Sequence, residues 1–219
     1  HHEPEAGSTT TSIEVVSKKP QPADSKSLRR KRLLSNMASQ IINYRLDEML
    51  DRPDTPFTSA SMHAGNYLNY VQAAEIRADC PPGKWKPTIE TLEQTLRKAL
   101  TYGFTKSEVE RAKKELLAAL DRRVKSASTR ESSHLARQII SSLNSRRVFQ
   151  SPTQEKALLT PMIQAADAES IHAALKTDWA PAHRLVLVTG NADLTGKDAA
   201  PEKQIANSFN NSRQTPVQA

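Results

Sequence analysis

The chain has 219 residues, 37% of them hydrophobic and 25% charged, with a net charge of +7 and one cysteine. A chain of this length can bury about 70% of its unfolded surface, so a core needs no covalent staples, and a lone thiol excludes both an internal disulfide framework and a multi-cysteine zinc site. No apolar run reaches the roughly 18 residues of a membrane span, and His1-His2-Glu3-Pro4 carries no apolar signal-peptide core.

Residues 1–11 read as a polar lead-in. Ser12-Ile13-Glu14-Val15-Val16-Ser17 is β-branched and short, which predicts a strand, and the two prolines of 18–25 predict a loop. Leu33, Leu34, Met37, Ile41, Ile42, Leu46, Met49 and Leu50 recur at spacings of three and four, which predicts one helix from Ser27 to Arg52, ended by Pro53. Residues Phe57 to Met62 and Tyr67 to Asp79 predict a hairpin that reverses at Gly65-Asn66 and closes at Pro81-Pro82-Gly83.

From there to residue 178 the pattern is helical. Pro87 suits a first helical position, Ile89, Leu92, Leu96, Ala99 and Leu100 form a stripe, and Gly103 supplies a C-cap. Thr105 and Glu108 make a capping box, with Phe104 and Val109 placed as a hydrophobic staple for the next helix. Ser128 and Glu131 predict a second box, opening a helix with Leu135, Ile139, Ile140 and Leu143. Ser151, Pro152 and Gln154 open another, which Pro161 is expected to stop, and a last helix covers Asp167 to Asp178. Leu185-Val186-Leu187-Val188 predicts a strand buried on both faces. Residues 193–219 have few, scattered apolar side chains and are expected to form an extended interdomain linker. The order β-α-β-β-α-α-α-α-α-β predicts one α/β sandwich domain over 12–192, with a mostly antiparallel sheet of about four strands and helices on one face.

Reactive chemistry is sparse. The histidines stand at 1, 2, 63, 134, 172 and 183, no two of them three or four apart, so no helical turn offers a zinc-binding pair and neither H-E-x-x-H nor H-x-x-E-H occurs. The six glycines form no phosphate-cradling loop, and no G-x-S-x-G elbow is present. Cys80, before Pro81, reads as a small buried apolar residue; His134 and His172, in predicted helices, read as capping or surface residues. No catalytic residue, metal ligand or cofactor site is expected in this chain. The dense run Arg29-Arg30-Lys31-Arg32 invites a nucleic-acid reading. Elsewhere, as in Glu110-Arg111 and Lys113-Lys114-Glu115, basic and acidic residues interleave along helices, as on a solvated face, and no aromatic-rich RNA-binding strand accompanies them. The expectation is therefore no nucleic-acid partner.

Three stretches in order resemble one family. Ser35 to Glu48, containing Asn43-Tyr44-Arg45-Leu46, resembles the N-x-R-L helix of pitrilysin/insulinase-family zinc metallopeptidases (inverzincins), followed by Pro56-Phe57 and the small-residue strand Thr58 to Met62. Gly103 to Lys113 resembles the family's G-F-T-x-x-E-V-E-R-A-K segment, and the strand Arg184 to Gly190 matches the place where its domain ends. Spanning 12–192, the resemblance implies a metallopeptidase-like non-catalytic domain, the second of the N-terminal half, without the H-x-x-E-H domain. It implies a substrate-enclosing role in peptide proteolysis, inactivity as an isolated fragment, and zinc only in the parent enzyme. The implied partners are the other domains of the same peptidase chain and, in the full-length enzyme, a peptide substrate. For a bacterial source it favours the periplasm. It also implies substrate contact by Arg45 and Phe57; the alternative is that Arg45 pairs with Asp47, Asp51 or a helix end and that Phe57 is core. Two other functions stay open: a scaffold or partner-binding subunit of processing-peptidase type, and a basic nucleic-acid-binding module.

Overall fold

The computed structural model describes residues 1–18, 22–67, 70–194 and 200–218. Four strands, β1 (Thr9–Lys18), β2 (Ser59–Tyr67), β3 (Val71–Cys80) and β4 (Leu185–Gly190), form one antiparallel sheet in the order β2-β3-β1-β4. Seven helices lie among the described residues: α1 (Lys26–Leu50), α2 (Trp85–Tyr102), α3 (Lys106–Lys125), α4 (Ser132–Asn144), α5 (Pro152–Gln164), α6 (Ala168–Asp178) and α7 (Pro201–Gln214). The expected α/β sandwich is thus present: a four-stranded antiparallel sheet with helices packed on one face.

The core follows from two periodicities. Along α1 the buried residues Leu33, Leu34, Met37, Ala38, Ile41, Ile42 and Leu46 make one stripe. Along β1 and β3 the alternate residues Ile13, Val15, Ala74, Ile76 and Ala78 are buried. The stripe and the alternating rows meet, together with Met62, Ile89 and Leu92, in a single cluster. Each large side chain fully buried there contributes roughly 1.5–3 kcal/mol. The Thr105 box is formed as expected: the Thr105 hydroxyl accepts from the Glu108 N–H and the Glu108 carboxylate accepts from the Thr105 N–H. Gly103 closes α2 at φ 73°, a backbone that L side chains avoid.

Several expectations are corrected. The hairpin does not reverse at Gly65-Asn66: β2 runs through both, pairing them with Ala73 and Gln72, and Tyr67 pairs with Val71. Ser128 and Glu131 form no capping box. Residues Ala127–Thr129 make a 3-10 turn, and α4 starts at Ser132 with Glu131 as an N-cap whose side chain makes no capping bond. Pro161 lies inside α5, which continues to Gln164 because the next carbonyls are still used: the Ala165 N–H reaches Pro161 O at 3.1 Å, and Ile163 is buried. β4 is an edge strand with one open face, so Leu185 and Leu187 are 45% and 43% exposed rather than buried.

The expected linker, 193–219, contains the 14-residue helix α7, whose Ser208 and Ser212 are buried and which packs on α2. Residues 195–199 and 219 of that linker, 68–69 of the expected strand Tyr67 to Asp79, and 19–21 of the expected loop, lie outside the described residues. No helix of the described residues is long and apolar enough to cross a membrane.

Candidate functional site

Register divides the sheet into a covered and an open face. Ile13 pairs with Ile76, which pairs with Met62, and this row lies against the helices. The intervening rows point the other way. Ser12 opposes Arg77 and Leu187, and Arg77 opposes Ser61; Glu14 opposes Glu75 and Leu185, and Glu75 opposes His63. A sheet needs only one apolar face, so a polar second face is free to meet solvent or a ligand.

The open face is internally hydrogen-bonded. The Thr10 hydroxyl donates to Asp79 Oδ1 at 2.6 Å and the Ser59 hydroxyl to Asp79 Oδ2 at 3.0 Å. The Ser12 hydroxyl donates to Glu14 Oε1 at 2.7 Å, and His63 Nδ1 lies 3.5 Å from Glu75 Oε2. Directly opposed carboxylates such as Glu14 and Glu75 repel, and the Ser12 and His63 contacts offset part of that. The open face thus presents carboxylates, hydroxyls, the Arg77 guanidinium and the His63 imidazole, with Leu185 and Leu187 along its edge.

Residues of the covered side fix where this face begins. Asn43, on α1, makes a reciprocal pair with one residue of the outer strand: its Nδ2 donates to Met62 O at 3.1 Å, and its Oδ1 accepts from the Met62 N–H at 2.6 Å. Two residues on, Arg45 Nε donates to Glu108 Oε1 at 2.6 Å, and its Nη2 donates to Glu108 Oε2 and to Gly103 O at 3.0 and 2.9 Å. The guanidinium also lies 5.3 Å from the centre of the Phe104 ring. Arg45 thereby ties α1 to the end of α2 and the cap of α3. Burial pushes the Glu108 carboxyl up, but the bonds from Arg45 and from the Thr105 N–H and hydroxyl together outweigh it and hold its pKa below the usual carboxylate value. Phe57 sits just before β2, 4% exposed in the core cluster. Among the described residues the guanidinium of Arg45 stacks on Phe104, not on Phe57.

Asn43 lies inside the N-x-R-L stretch, but nothing in the sequence singles out its bond to β2, since Asn36 and Gln40 share its side of the helix at spacings of seven and three. A neighbouring network was equally unforeseen. Tyr44 donates to Glu115, with Arg111 at 4.1 Å over its ring, and burial first, then the Glu115 carboxylate, pushes the phenol up to about 12.

The donor set does not fit zinc. Zinc takes three or four converging nitrogen, sulfur or carboxylate ligands, and among the described residues no group of three or more His, Cys, Asp or Glu is arranged to hold an ion. Cys80 is a buried free thiol whose pKa is raised by burial, at the sheet's helix-facing side. Neither His134, bonded to Gln138, nor His172, whose Nε2 donates to Leu100 O at 2.9 Å, stands beside a nucleophile.

No family model matches the chain, and no curated protein matches it in sequence. Solved structures do match in fold. The first half of the periplasmic protease PqqL from Escherichia coli aligns with a TM-score of 0.86 at 16% identity, over 100% of this chain and 47% of that one. A predicted insulinase-family protease from Yersinia pestis aligns at 0.77 with 13% identity, covering 95% and 44%. The inactive peptidase M16 domain from Pseudomonas fluorescens aligns at 0.59 with 14% identity, covering 84% and 42%. The chain spans about half the length of the first of these, and 24% of full-length PqqL.

Proposed function

We propose that this chain, which has the fold of insulinase-family peptidase domains, is a non-catalytic, substrate-enclosing domain of a zinc-dependent metalloendopeptidase. The observation that carries the reading is the uncovered polar sheet face on a domain whose fold recurs inside longer proteases. A sheet held rigid by helices on one side and left open on the other is built as a wall. In this reading zinc, and the residues that bind it, belong to another domain of the parent chain, and the other domains and a peptide substrate are its partners. Periplasmic placement belongs to the same proposal and draws support from PqqL, a periplasmic protease. Arg45 and Phe57 contribute by shaping the wall, since Glu108 holds the one and the core holds the other.

The test has two arms. The isolated chain, purified without chelator, is assayed for zinc by elemental analysis and for cleavage of a peptide mixture by mass spectrometry; the expected result is neither. In the parent enzyme, a photo-crosslinking side chain at Ser61, on the open face, is expected to capture a bound substrate peptide, whereas one at exposed Lys114 of α3 is not. Stoichiometric zinc, or hydrolysis by the isolated chain, overturns the non-catalytic assignment. Equal capture at the two positions overturns the enclosing one.

A further inference from the structure

We propose that the cleft between the end of α3, α4 and the loop joining α4 to α5 binds an acidic polypeptide segment. The cleft, about 670 Å³, is lined by Arg29, Arg123, Arg130, Arg137 and Arg147, with Glu155 as the only carboxylate among its lining residues. The guanidiniums come from α1, α3, α4 and two connecting segments, so the fold, not one run of sequence, gathers them. Three are engaged. Arg29 is held by Asp24 and donates to Gln150 Oε1 at 2.5 Å, Arg123 reaches Glu155 at 3.2 Å, and Arg130 donates to the neutral Gln138 Oε1 at 2.8 Å. Arg137 and Arg147 have no acidic partner among the described residues. Arg147 also borders a second cavity of about 620 Å³, into which Lys31 and Arg32 face. The dense basic run of α1 therefore continues this cleft. Burial first, and then the Arg147 charge, hold the Arg32 guanidinium below its ordinary pKa, against the opposing pull of the Asp24 carboxylate.

The ligand chemistry follows from the lining. Guanidinium forks bind carboxylates with two parallel hydrogen bonds. Gln138, Ser141, Ser142 and Gln150 add neutral donors and acceptors of the kind a peptide backbone uses. Val148 and Phe149, 67% and 38% exposed at the rim, seat apolar side chains. A nucleic-acid strand fits less well, because successive bases need stacking platforms and Phe149 is the only Phe, Tyr or Trp in the lining. This binding is a property of the chain alone and stands or falls separately from the enclosing role.

The test is fluorescence anisotropy of the full chain with a labelled peptide of alternating Glu and Leu, its Gln-for-Glu counterpart, and a single-stranded DNA of matched length. The expected order is Glu peptide tightest, with affinity falling as salt rises. In the double variant Arg137→Gln/Arg147→Gln affinity should drop on the order of tenfold per guanidinium. Both residues are exposed, so a thermal melt like that of the parent chain is expected alongside. The charge-matched control Lys114→Gln/Lys203→Gln should bind as the parent does. Equal binding of the Glu and Gln peptides, an unaffected double variant, an equal loss in the control, or tighter binding of DNA each overturns the proposal.

Discussion

Ser212→Ala asks whether the last helix is part of the domain. Ser212, 2% exposed on α7, donates to Glu93 Oε2 at 2.7 Å, and Glu93 on α2 is itself only 5% exposed. Arg97 completes the arrangement, reaching the Glu93 carboxylate at 2.8 and 3.1 Å and the carbonyls of Ser212 and Thr215 at 3.0 and 2.8 Å. Removing the hydroxyl takes one hydrogen bond from a buried carboxylate and leaves Arg97 to hold it alone. A bond to a charged group is worth about 1.5–3 kcal/mol. At roughly 2–4 °C per kcal/mol for a domain of this size, Tm should fall by about 3–12 °C. Thermal denaturation followed by circular dichroism reads this directly, and a urea titration should show a lower midpoint with an unchanged m-value. Truncation before Pro201 should cost at least as much. A change below about 0.5 kcal/mol, the range of ordinary surface substitutions, would mean that α7 does not hold Glu93 and that 193–219 behaves as a tether.

Three further outcomes are expected. Because the folded pKa of Glu108 is depressed, its contribution is fully present above its unfolded value of about 4.3 and is lost as pH falls through the native value; Glu108→Gln should flatten the acid limb of the stability–pH profile while leaving the neutral-to-alkaline limb parallel to the parent's. Gly190→Ala should destabilise by at least about 2–3 kcal/mol in urea unfolding, since φ is +112° and the added Cβ would lie 2.2 Å from Ser8 O. Leu143→Ala, at a side chain 69% exposed, should stay within about 0.5 kcal/mol of the parent, whereas Leu46→Ala, at 0% exposure, should lose about 2–5 kcal/mol.

What could be read in advance was what is decided locally. The α1 stripe and the Thr105 box are short-range signals, and both stand in the structure. Ser128 and Glu131 carry the same signature but form no box, because the chain takes a 3-10 turn there and the helix begins later. Periodicity shows that a helix has an apolar face, not where the face points: the α4 stripe marks a helix, yet Ile139, Ile140 and Leu143 face outward, and Arg137 with its polar neighbours His134, Gln138 and Ser141 lines the cleft. α7 is hard to read because only Ile205 and Phe209 pack against the core, while its buried residues are two serines, one of them bonded to a carboxylate on another helix, which a count of apolar residues does not register. On the sheet, the alternation of Thr10, Ser12 and Glu14 with Thr11, Ile13 and Val15 holds the open face in plain view, but which strands lie side by side is set by long-range pairing. The same is true of Arg45, whose partner Glu108 lies 63 residues away.

The Asn43 side chain imitates a neighbouring strand. An outer strand offers unpaired amide groups on which another chain can add, and such addition seeds edge-to-edge aggregation. By occupying both backbone groups of Met62, a single carboxamide interrupts the row of free groups near the middle of β2. It also makes strand position and helix position a single choice. Sliding β2 by one residue would turn Met62 to the open face and bring a different backbone pair, facing the wrong way, to Asn43. The amide thus protects the solubility of a sheet that keeps one face bare, and it sets the frame in which that bare face presents its hydroxyls and carboxylates.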